Sequence, residues 1–306
     1  MGARDLNAAP HAVIGTAGVL CTVVTYNPDG ALPAHLAALR RQCGKLVVVD
    51  NGSANADWVA EVAARCGCAL VRNESNMGIA WALNAGARIA IEEGFDWLGT
   101  FDQDSLCPPG AIERLLAMEA AHPRGREIGL VATAHRDRVL RRDYHHRLDI
   151  LEEAARWRLV RVTITSGSLV RVAALRRVGA FDDELFIDMV DHDLCLRLRR
   201  HGWLVVEAKD VVMEHSIGDA SVHRLLWLPV VCTNHSAPRR YYRVRNQLEV
   251  TRRNLFFDPV WAVKGVFQLV TPAVAVLLFE QQRGAKLAAM VRGAADFLLR
   301  RFGRQR

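Results

Sequence analysis

The sequence lacks the features that mark several classes of protein. It has no internal repeats or low-complexity tracts, and 51% of its 306 residues are hydrophobic, which excludes a disordered or fibrous chain. Its seven cysteines are an odd number, and only Cys66 and Cys68 are close in the chain. A disulfide framework is therefore excluded, and a reducing cytoplasm is expected. A chain of this length can bury a continuous core without metal or disulfide cross-links.

The sequence also lacks a recognisable targeting signal and an uninterrupted membrane span. No cluster of basic residues precedes the apolar run at 12–26, which continues into a strand pattern, so we expect no cleaved signal peptide. The nearly apolar stretch after Pro259 carries Lys264, Gln268 and Pro272. Because a lysine in the hydrocarbon core is costly, we expect in-plane or re-entrant membrane contact there, with a span or a buried core helix as alternatives.

The charge balance favours an anionic partner. Forty Lys and Arg against 33 Asp and Glu give a net charge of +7, which suits nucleic acid, membrane headgroups or a phosphorylated ligand. The arginine-rich stretch 239–253 has no known nucleic-acid motif around it, so we expect no nucleic-acid partner. The C-terminal tail adds basic residues that could face an anionic membrane, or pack on the core or a second copy: Lys286, Arg292, Arg300, Arg301, Arg304 and Arg306.

The pattern from Val19 to Thr133 alternates short β-branched runs with stretches of helical period. This alternation predicts an α/β fold with a mostly parallel central sheet flanked by helices. A loop rich in Arg, His and Asp is expected from Thr133 to about Arg156. We divide the chain into a lead-in at 1–18, one α/β unit at 19–255 and an amphipathic, basic helical region at 256–306.

Polar side chains follow several predicted strands, where ligands of parallel sheets bind. Tyr26 and Asn27 end the first strand, Asp50 ends the second, and Asp102 and Asp104 end a later one. Two carboxylates separated by one residue can face Mg²⁺ or Mn²⁺ together with a diphosphate. The alternatives are a helix cap or turn for the Asp pair and an Asx turn for Asp50.

A second acidic group precedes a predicted helix that ends near Gly202. Asp188, Asp191 and Asp193 lie at the helix start, and arginines occupy its last turn. This charge order also suits the helix dipole, so a purely structural role is an alternative. His215 ends a later strand, and a lone histidine there is as easily structural as functional.

Seven motifs occur in a characteristic order: VVTYNP, VVVDNGS, NESNMGIAWALNAG, FDQDS, ITSGSLVR, FIDMVDHDLCLRLRRHGW and MEHSIGD. The series resembles the inverting nucleotide-sugar transferases of glycosyltransferase family two, in particular the bacterial rhamnosyltransferases of surface polysaccharides. The resemblance covers about 19–253. It implies a GT-A fold, which is Rossmann-like, with a C-terminal helical extension.

The resemblance also implies roles for individual residues. Asp191 is expected to be the catalytic base, with Asp188 as the alternative because Val190 replaces the usual glutamate. For Asn76, a helix N-cap role is an alternative to nucleotide contact. Nucleotide-sugar contacts are expected at Thr25, Tyr26, Asn27, Asp50, Asn76, Gly78, Asn84, Asp102, Gln103 and Arg245. Acceptor contacts are expected at Ser166, Gly167 and Asp188, and metal contacts at Asp102, Asp104 and His215, the histidine serving as a metal ligand or a diphosphate contact.

The activity implied by the resemblance is metal-dependent, inverting transfer of L-rhamnose from dTDP-β-L-rhamnose to a hydroxyl of a glycan that is lipid-linked. Mg²⁺ or Mn²⁺ is the expected cofactor, and the inner face of the cell membrane is the expected place of a cytoplasmic, peripheral enzyme. The runner-up is a UDP-hexose or another deoxysugar donor. A non-catalytic basic protein that binds membranes or nucleic acid is the alternative from another class. A homodimer is a further expectation that would bury the tail.

Overall fold

The computed structural model describes residues 15–137, 147–215, 221–225 and 228–305. Within these ranges, nine strands form one sheet, and two more form a separate antiparallel pair. The strands of the large sheet are β1 Val19–Thr25, β2 Lys45–Asp50, β3 Ala69–Arg72, β4 Trp97–Asp102, β5 Ile128–Asp137, β6 Ile150–Glu153, β7 Trp157–Val160, β8 Ser168–Arg171 and β9 Leu204–His215. The separate pair is β10 Ser221–Leu225 and β11 Leu228–Cys232.

Helices cover the sheet, and three more follow it in the chain. The helices of the described ranges are α1 Leu32–Arg40, α2 Ala56–Arg65, α3 Ile79–Glu92, α4 Ala111–Ala121, α5 Val172–Val178, α6 Val190–Arg200, α7 Ala237–Asn254, α8 Pro259–Leu278 and α9 Arg283–Leu298. The amphipathic pattern explains their packing. In α1, for example, Leu32, Leu36 and Leu39 recur at helical spacing and are all buried.

The sheet order is β3-β2-β1-β4-β8-β5-β9-β7-β6. The first four strands in this order run parallel, and every residue of β1 is buried, as expected for a strand covered by helices on both faces. Beyond them β8 is antiparallel to both β4 and β5, whereas β5 and β9 are parallel. The predicted α/β class is confirmed, and its parallel character is concentrated in the N-terminal half.

The segment from Thr133 to Arg156 differs from the predicted loop. The strand β5 continues to Asp137, and β6 pairs with β7 at the far edge of the sheet. The sequence pattern misses β6 because most of its residues are exposed, so they do not show the apolar alternation of a half-buried strand.

The three C-terminal helices form a layer that packs on the α/β unit. This layer begins with α7, earlier than the expected boundary at 256. Tyr241 and Tyr242 of α7 form a small core with Ala289 of α9. Trp261 at the start of α8 joins the large core beneath the sheet. The helical extension is therefore continuous with the core of the preceding unit.

Many tail cations have partners within the chain. Lys264 pairs with Asp149, and Lys286 is buried against Glu280 at 2.7 Å. Arg300 pairs with Glu249, also at 2.7 Å. The expectation that Lys286 faces a membrane is therefore wrong, because its ammonium group lies inside the helical layer.

Candidate functional site

Parallel pairing brings the predicted strand ends to one edge of the sheet. Thr25 at the end of β1 is opposite Asp50 of β2, and Val24 is opposite Asp102 of β4. Three loops therefore leave the sheet side by side, at the carboxyl ends where α/β proteins bind ligands. This register brings Asp50 and Asp102 to one edge of the sheet.

Asp50 is fully buried beneath its loop. Its carboxylate accepts hydrogen bonds from the Thr25 hydroxyl at 3.0 Å and from the backbone N–H and the hydroxyl of Ser53. These contacts form the turn that the sequence suggests after β2. Contact of Asp50 with a nucleobase stays a prediction.

Side chains predicted to bind the nucleotide also tie the neighbouring loops together. The Gln103 side chain accepts from the Tyr26 backbone N–H at 2.7 Å and donates to the Tyr26 carbonyl at 3.3 Å. Asn27, with φ of 48°, accepts from the backbone N–H of Ala54 at 2.7 Å. The Tyr26 ring is 48% exposed, so this aromatic face is accessible at the edge of the sheet.

Asn51 organises the loop before α3, a role that the sequence reasoning missed. Its Oδ1 accepts from the Met77 backbone N–H and the Asn73 side chain, both at 2.9 Å. Its amide group donates to Asn76 Oδ1 at 3.1 Å and to the Gly78 carbonyl at 3.2 Å. The only available signal was the position of Asn51, directly after Asp50 in an Asx-turn sequence.

Two residues predicted to contact the nucleotide have partners within the fold, and their contact with a nucleotide stays a prediction. Asn84 is buried in α3, where it donates to the Phe181 carbonyl at 2.8 Å and accepts from the Phe181 N–H at 2.9 Å. Arg245 is buried in α7, and its guanidinium donates to the carbonyls of Glu184 and Gly303. Both side chains bind backbone groups within the fold and are not presented at the strand ends.

The acidic residues from the two predicted groups meet at one place. Burial, together with the nearby negative charges of Asp104 and Asp191, raises the pKa of Asp102 to about 7, against the opposing effect of Arg239. Burial likewise raises the pKa of Asp191 to about 6, with Asp188 adding to the rise and Arg243 opposing it. Carboxylates from the end of β4 and the start of α6 therefore share one electrostatic environment.

Basic residues of α7 face these acids. The Arg239 guanidinium lies 3.5 Å from Asp188 Oδ1, and its charge and that of Arg243 lower the pKa values of Asp102 and Asp191, respectively. Both arginines are at least partly exposed. An acidic site edged by arginines can hold a phosphorylated ligand, since guanidinium groups match phosphate oxygens.

The segment predicted to contact the acceptor, Ser166 and Gly167, packs against the end of β4 at Asp102. The Ser166 hydroxyl accepts from the Asp102 backbone N–H at 3.1 Å. Gly167 has a φ of 74°, and a Cβ there would lie 2.5 Å from Thr133 Oγ1. Glycine is therefore required at 167 for the close approach of this segment to β5. Acceptor contact of Ser166, Gly167 and Asp188 stays a prediction.

Asp102 and Asp104 suit a divalent cation. The charge of Asp104 contributes to the raised pKa of Asp102, so the two carboxylates are neighbours, and hard oxygen ligands are those that Mg²⁺ and Mn²⁺ prefer. Among the described residues, no three His, Cys, Asp or Glu side chains form a ready-made metal cluster. His215 ends β9 opposite Asp137, and its side chain lies outside what the structure describes.

Comparison with known sequences places these features in a family. Residues 21–179 match the model of Glycosyl transferase family 2. The chain is 34% identical over 248 residues to the dTDP-rhamnosyl transferase RfbF of Shigella flexneri, covering 77% of this chain and 80% of that protein. It is 28% identical over 233 residues to the N-acetylglucosaminyl-diphospho-decaprenol L-rhamnosyltransferase of Mycobacterium tuberculosis, covering 63% and 74% of the two chains.

Solved structures share the fold at low sequence identity. Residues 1–349 of S. aureus TarS superpose with a TM-score of 0.59 at 14% identity, covering 91% of this chain and 80% of that one. GalNAc-T7 with UDP, GalNAc and Mn²⁺ gives a TM-score of 0.57 at 13% identity, covering 92% and 56%. These similarities confirm the GT-A fold.

Proposed function

The chain belongs to glycosyl transferase family 2, and on that premise we propose that it transfers L-rhamnose from dTDP-β-L-rhamnose to a hydroxyl of a lipid-linked surface glycan. The chain is a glycosyltransferase, so the alternative of a non-catalytic basic protein is set aside. The observation that carries the proposal is the meeting of Asp102, Asp104 and Asp191 beside the arginines of α7. The printed names of two relatives support rhamnose as the transferred sugar.

Asp191 is the catalytic base of this proposal. Its carboxylate takes the proton of the acceptor hydroxyl while that oxygen attacks the anomeric carbon, and the bond from this carbon to the diphosphate breaks. One displacement inverts the configuration and gives an α-linkage. Arg239 and Arg243 stabilise the negative charge that develops on the departing dTDP. A divalent cation bound by Asp102 and Asp104 would neutralise the same charge as a Lewis acid.

The remaining nucleotide contacts are assigned by the position of their loops. We place the nucleobase against the turn at Asp50 and the exposed ring of Tyr26, both at the edge where β1 and β2 end. Thr25, Asn27, Asn76, Gly78 and Gln103 shape this pocket through the loop contacts described above.

A panel of donors tests the proposed reaction. The purified full chain is incubated with dTDP-rhamnose, UDP-glucose or UDP-N-acetylglucosamine and Mg²⁺ or Mn²⁺, and the released nucleotide is measured. We expect release from dTDP-rhamnose above all other donors. Faster release of UDP would assign the runner-up donor class, and no release from any donor with a lipid-linked acceptor present would refute the proposed function.

The outer face of α8 is the proposed membrane contact. Within the described ranges α8 is the one helix long and apolar enough to cross a membrane by length and composition. One side of it packs on the protein through Trp261 and the Lys264 pair with Asp149. The other side exposes Val263, Phe267 and Val270, the phenylalanine to 67%. A helix with one packed side and one apolar outer side suits in-plane contact with the inner leaflet.

Vesicle sedimentation tests this contact in the full-length protein. Replacing Val263, Phe267 and Val270 together by serine is expected to abolish co-pelleting with anionic vesicles. The matched control is Val291→Ser, because Val291 on α9 is 69% exposed and lies outside this face. Equal sedimentation of both variants and the wild type would exclude the α8 face, and concentration-dependent dimers that the triple variant loses would assign it to a second copy.

A further inference from the structure

The loop that precedes α6 has an unusual backbone. Phe186, Asp188 and Met189 all have positive φ values, of 62°, 63° and 67°, and none of them is glycine. Phe186 is the central residue of a γ-turn of the rare kind with positive φ. Its ψ is −64°, and the Ile187 N–H donates a hydrogen bond to the Leu185 carbonyl at 2.7 Å. Such residues persist only where the surroundings hold them in place.

Asn246 of α7 stabilises this backbone conformation through hydrogen bonds to the loop. Its buried side-chain amide donates to the carbonyls of Leu185 at 2.6 Å, Ile187 at 2.7 Å and Asp188 at 3.1 Å. Because carbonyls can only accept, the nitrogen of the Asn246 amide must face the loop. Its Oδ1 in turn accepts from Arg245 Nε at 2.9 Å, so the orientation of the amide is fixed.

Arg245 extends the same contact. Its guanidinium donates to the carbonyls of Glu184 at 3.0 Å and Leu185 at 3.3 Å. It is packed among three aromatic rings, those of Tyr241, Tyr242 and Phe302. Two adjacent residues of α7 thus bind four of the five carbonyls of the loop 184–188, although they lie about 60 residues further along the chain.

The loop connects the two halves of the proposed site. The Phe186 carbonyl accepts from the Ile79 N–H at 2.7 Å, at the first residue of α3 and beside the loop that Asn51 organises. The other end of the loop carries Asp188 and leads directly into Asp191. A shift of the loop would therefore displace the acidic residues relative to the donor pocket.

We propose that Asn246 is a positioning residue that fixes Asp188 and Asp191 through the carbonyls of the loop. This inference rests on the proposed function, since it assigns the purpose of the loop to placing the base. Asn246 does not itself reach substrate, because its amide group is buried and engaged with backbone.

The decisive variant is Asn246→Ala, and Gln247→Ala is its control. Gln247 is also a buried amide on α7, but it donates to Thr251 and packs beside Gly265, away from the loop. For Asn246→Ala we expect kcat to fall about 100-fold, the loss that an ångström of misplacement can cause. The affinity for dTDP, measured by calorimetry, should change less than about threefold, because the pocket at Asp50 is intact.

The control separates positioning from general loss of stability. Gln247→Ala should retain most of kcat whatever its effect on Tm. If the two variants lose kcat in proportion to Tm, or if Asn246→Ala keeps wild-type kcat, the inference is wrong. If Asn246→Ala does not fold, Arg245→Lys gives the second test. This substitution keeps a cation but removes the guanidinium group, whose Nε donates to Asn246 Oδ1. It should lower kcat with little change in dTDP affinity. Unaltered kcat in folded Arg245→Lys would also overturn the inference.

The wild-type protein distinguishes this failure from failure of the proposed function. Both variants are assayed with the nucleotide sugar that the wild type turns over in the donor panel. A wild type inactive on every donor refutes the proposed function, whereas an active wild type with an equally active Asn246→Ala refutes the positioning role alone.

Discussion

Replacing Asp191 by asparagine should remove catalysis without weakening the fold. A general base contributes roughly 100- to 10,000-fold to a rate, so we expect kcat to fall by that factor. Because burial and the neighbouring acids raise the pKa of Asp191, its ionised form is disfavoured in the folded protein. Above pH 6 the wild type must bury a charged carboxylate at a cost in folding free energy, and the neutral amide of the variant avoids this cost. The Tm of the variant should therefore equal or exceed that of the wild type.

The same pKa predicts the pH dependence of the wild type. With a pKa of about 6, about a tenth of the molecules carry the ionised Asp191 at pH 5 and about nine tenths at pH 7. The base must be ionised to accept a proton, so kcat should rise about tenfold over this interval at saturating donor and cation. The assay is nucleotide release at fixed ionic strength, with Tm and dTDP affinity measured at each pH.

Asp188→Asn is the matched control for this base. Its charge contributes to the raised pKa of Asp191, so its removal should move the pH profile to lower pH while activity is retained. If Asp188→Asn is inactive and Asp191→Asn is active, the base is Asp188 and the reasoning about Asp191 is refuted. A dTDP affinity reduced in parallel with kcat in Asp191→Asn would also contradict it.

Three further predictions concern the cation, a glycine and a buried ion pair. Excess EDTA, or Asp104→Asn with Tm unchanged, should abolish nucleotide release because the carboxylate pair binds the cation; full release in EDTA would contradict this. Gly78→Ala should lower the free energy of unfolding by about 1–3 kcal/mol in urea titration and weaken dTDP binding. The reason is that φ is 90° at Gly78 and a Cβ there would lie 2.6 Å from the Phe186 carbonyl oxygen. Gly94→Ala is the control, because Gly94 also has positive φ but open space around it. Asp258→Asn should cost about 3 kcal/mol at pH 7, since it leaves Arg161 and Arg199 without their shared carboxylate. Burial opposes ionisation of Asp258, but hydrogen bonds from these arginines outweigh it and lower its pKa, so the wild type should lose this contribution as pH falls below about 4 and approach the variant.

The sequence predicted the part of the fold that local patterns determine. β-branched runs marked β1 and β2, a short apolar run marked β4, and the parallel pairing of these strands brings Asp50 and Asp102 to one edge. The two acidic groups around Asp102 and Asp191 were also identified, because carboxylates after strands and before helices are visible in the sequence.

Contacts between distant segments could not be predicted from those patterns. Asn84 and Arg245 were expected at the nucleotide from the resemblance to the family, yet Asn84 binds the Phe181 backbone, 97 residues away in the chain. A side chain's type shows what it can bind, but its partner depends on packing between elements. The same limit applies to Lys286, whose burial against Glu280 follows from the packing of α8 and α9.

The contacts of the C-terminal helices with the rest of the chain favour substitutions over truncation as a test of membrane contact. A truncation after Phe257 would remove α9 and the Gly303 carbonyl that binds Arg245, and would disturb the loop before α6. Substitutions on the exposed face of α8 leave these contacts in place, so they isolate membrane contact from damage to the site.

The most direct test of the central claim is the identity of the transferred sugar. The full-length protein is given equal amounts of dTDP-rhamnose and UDP-glucose, Mg²⁺ and a lipid-linked glycan acceptor, and the product is analysed by mass spectrometry. The account predicts an acceptor that gains one deoxyhexose with the wild type and gains nothing with Asp191→Asn. An acceptor that gains a hexose, or a deoxyhexose product formed equally well by Asp191→Asn, would contradict it.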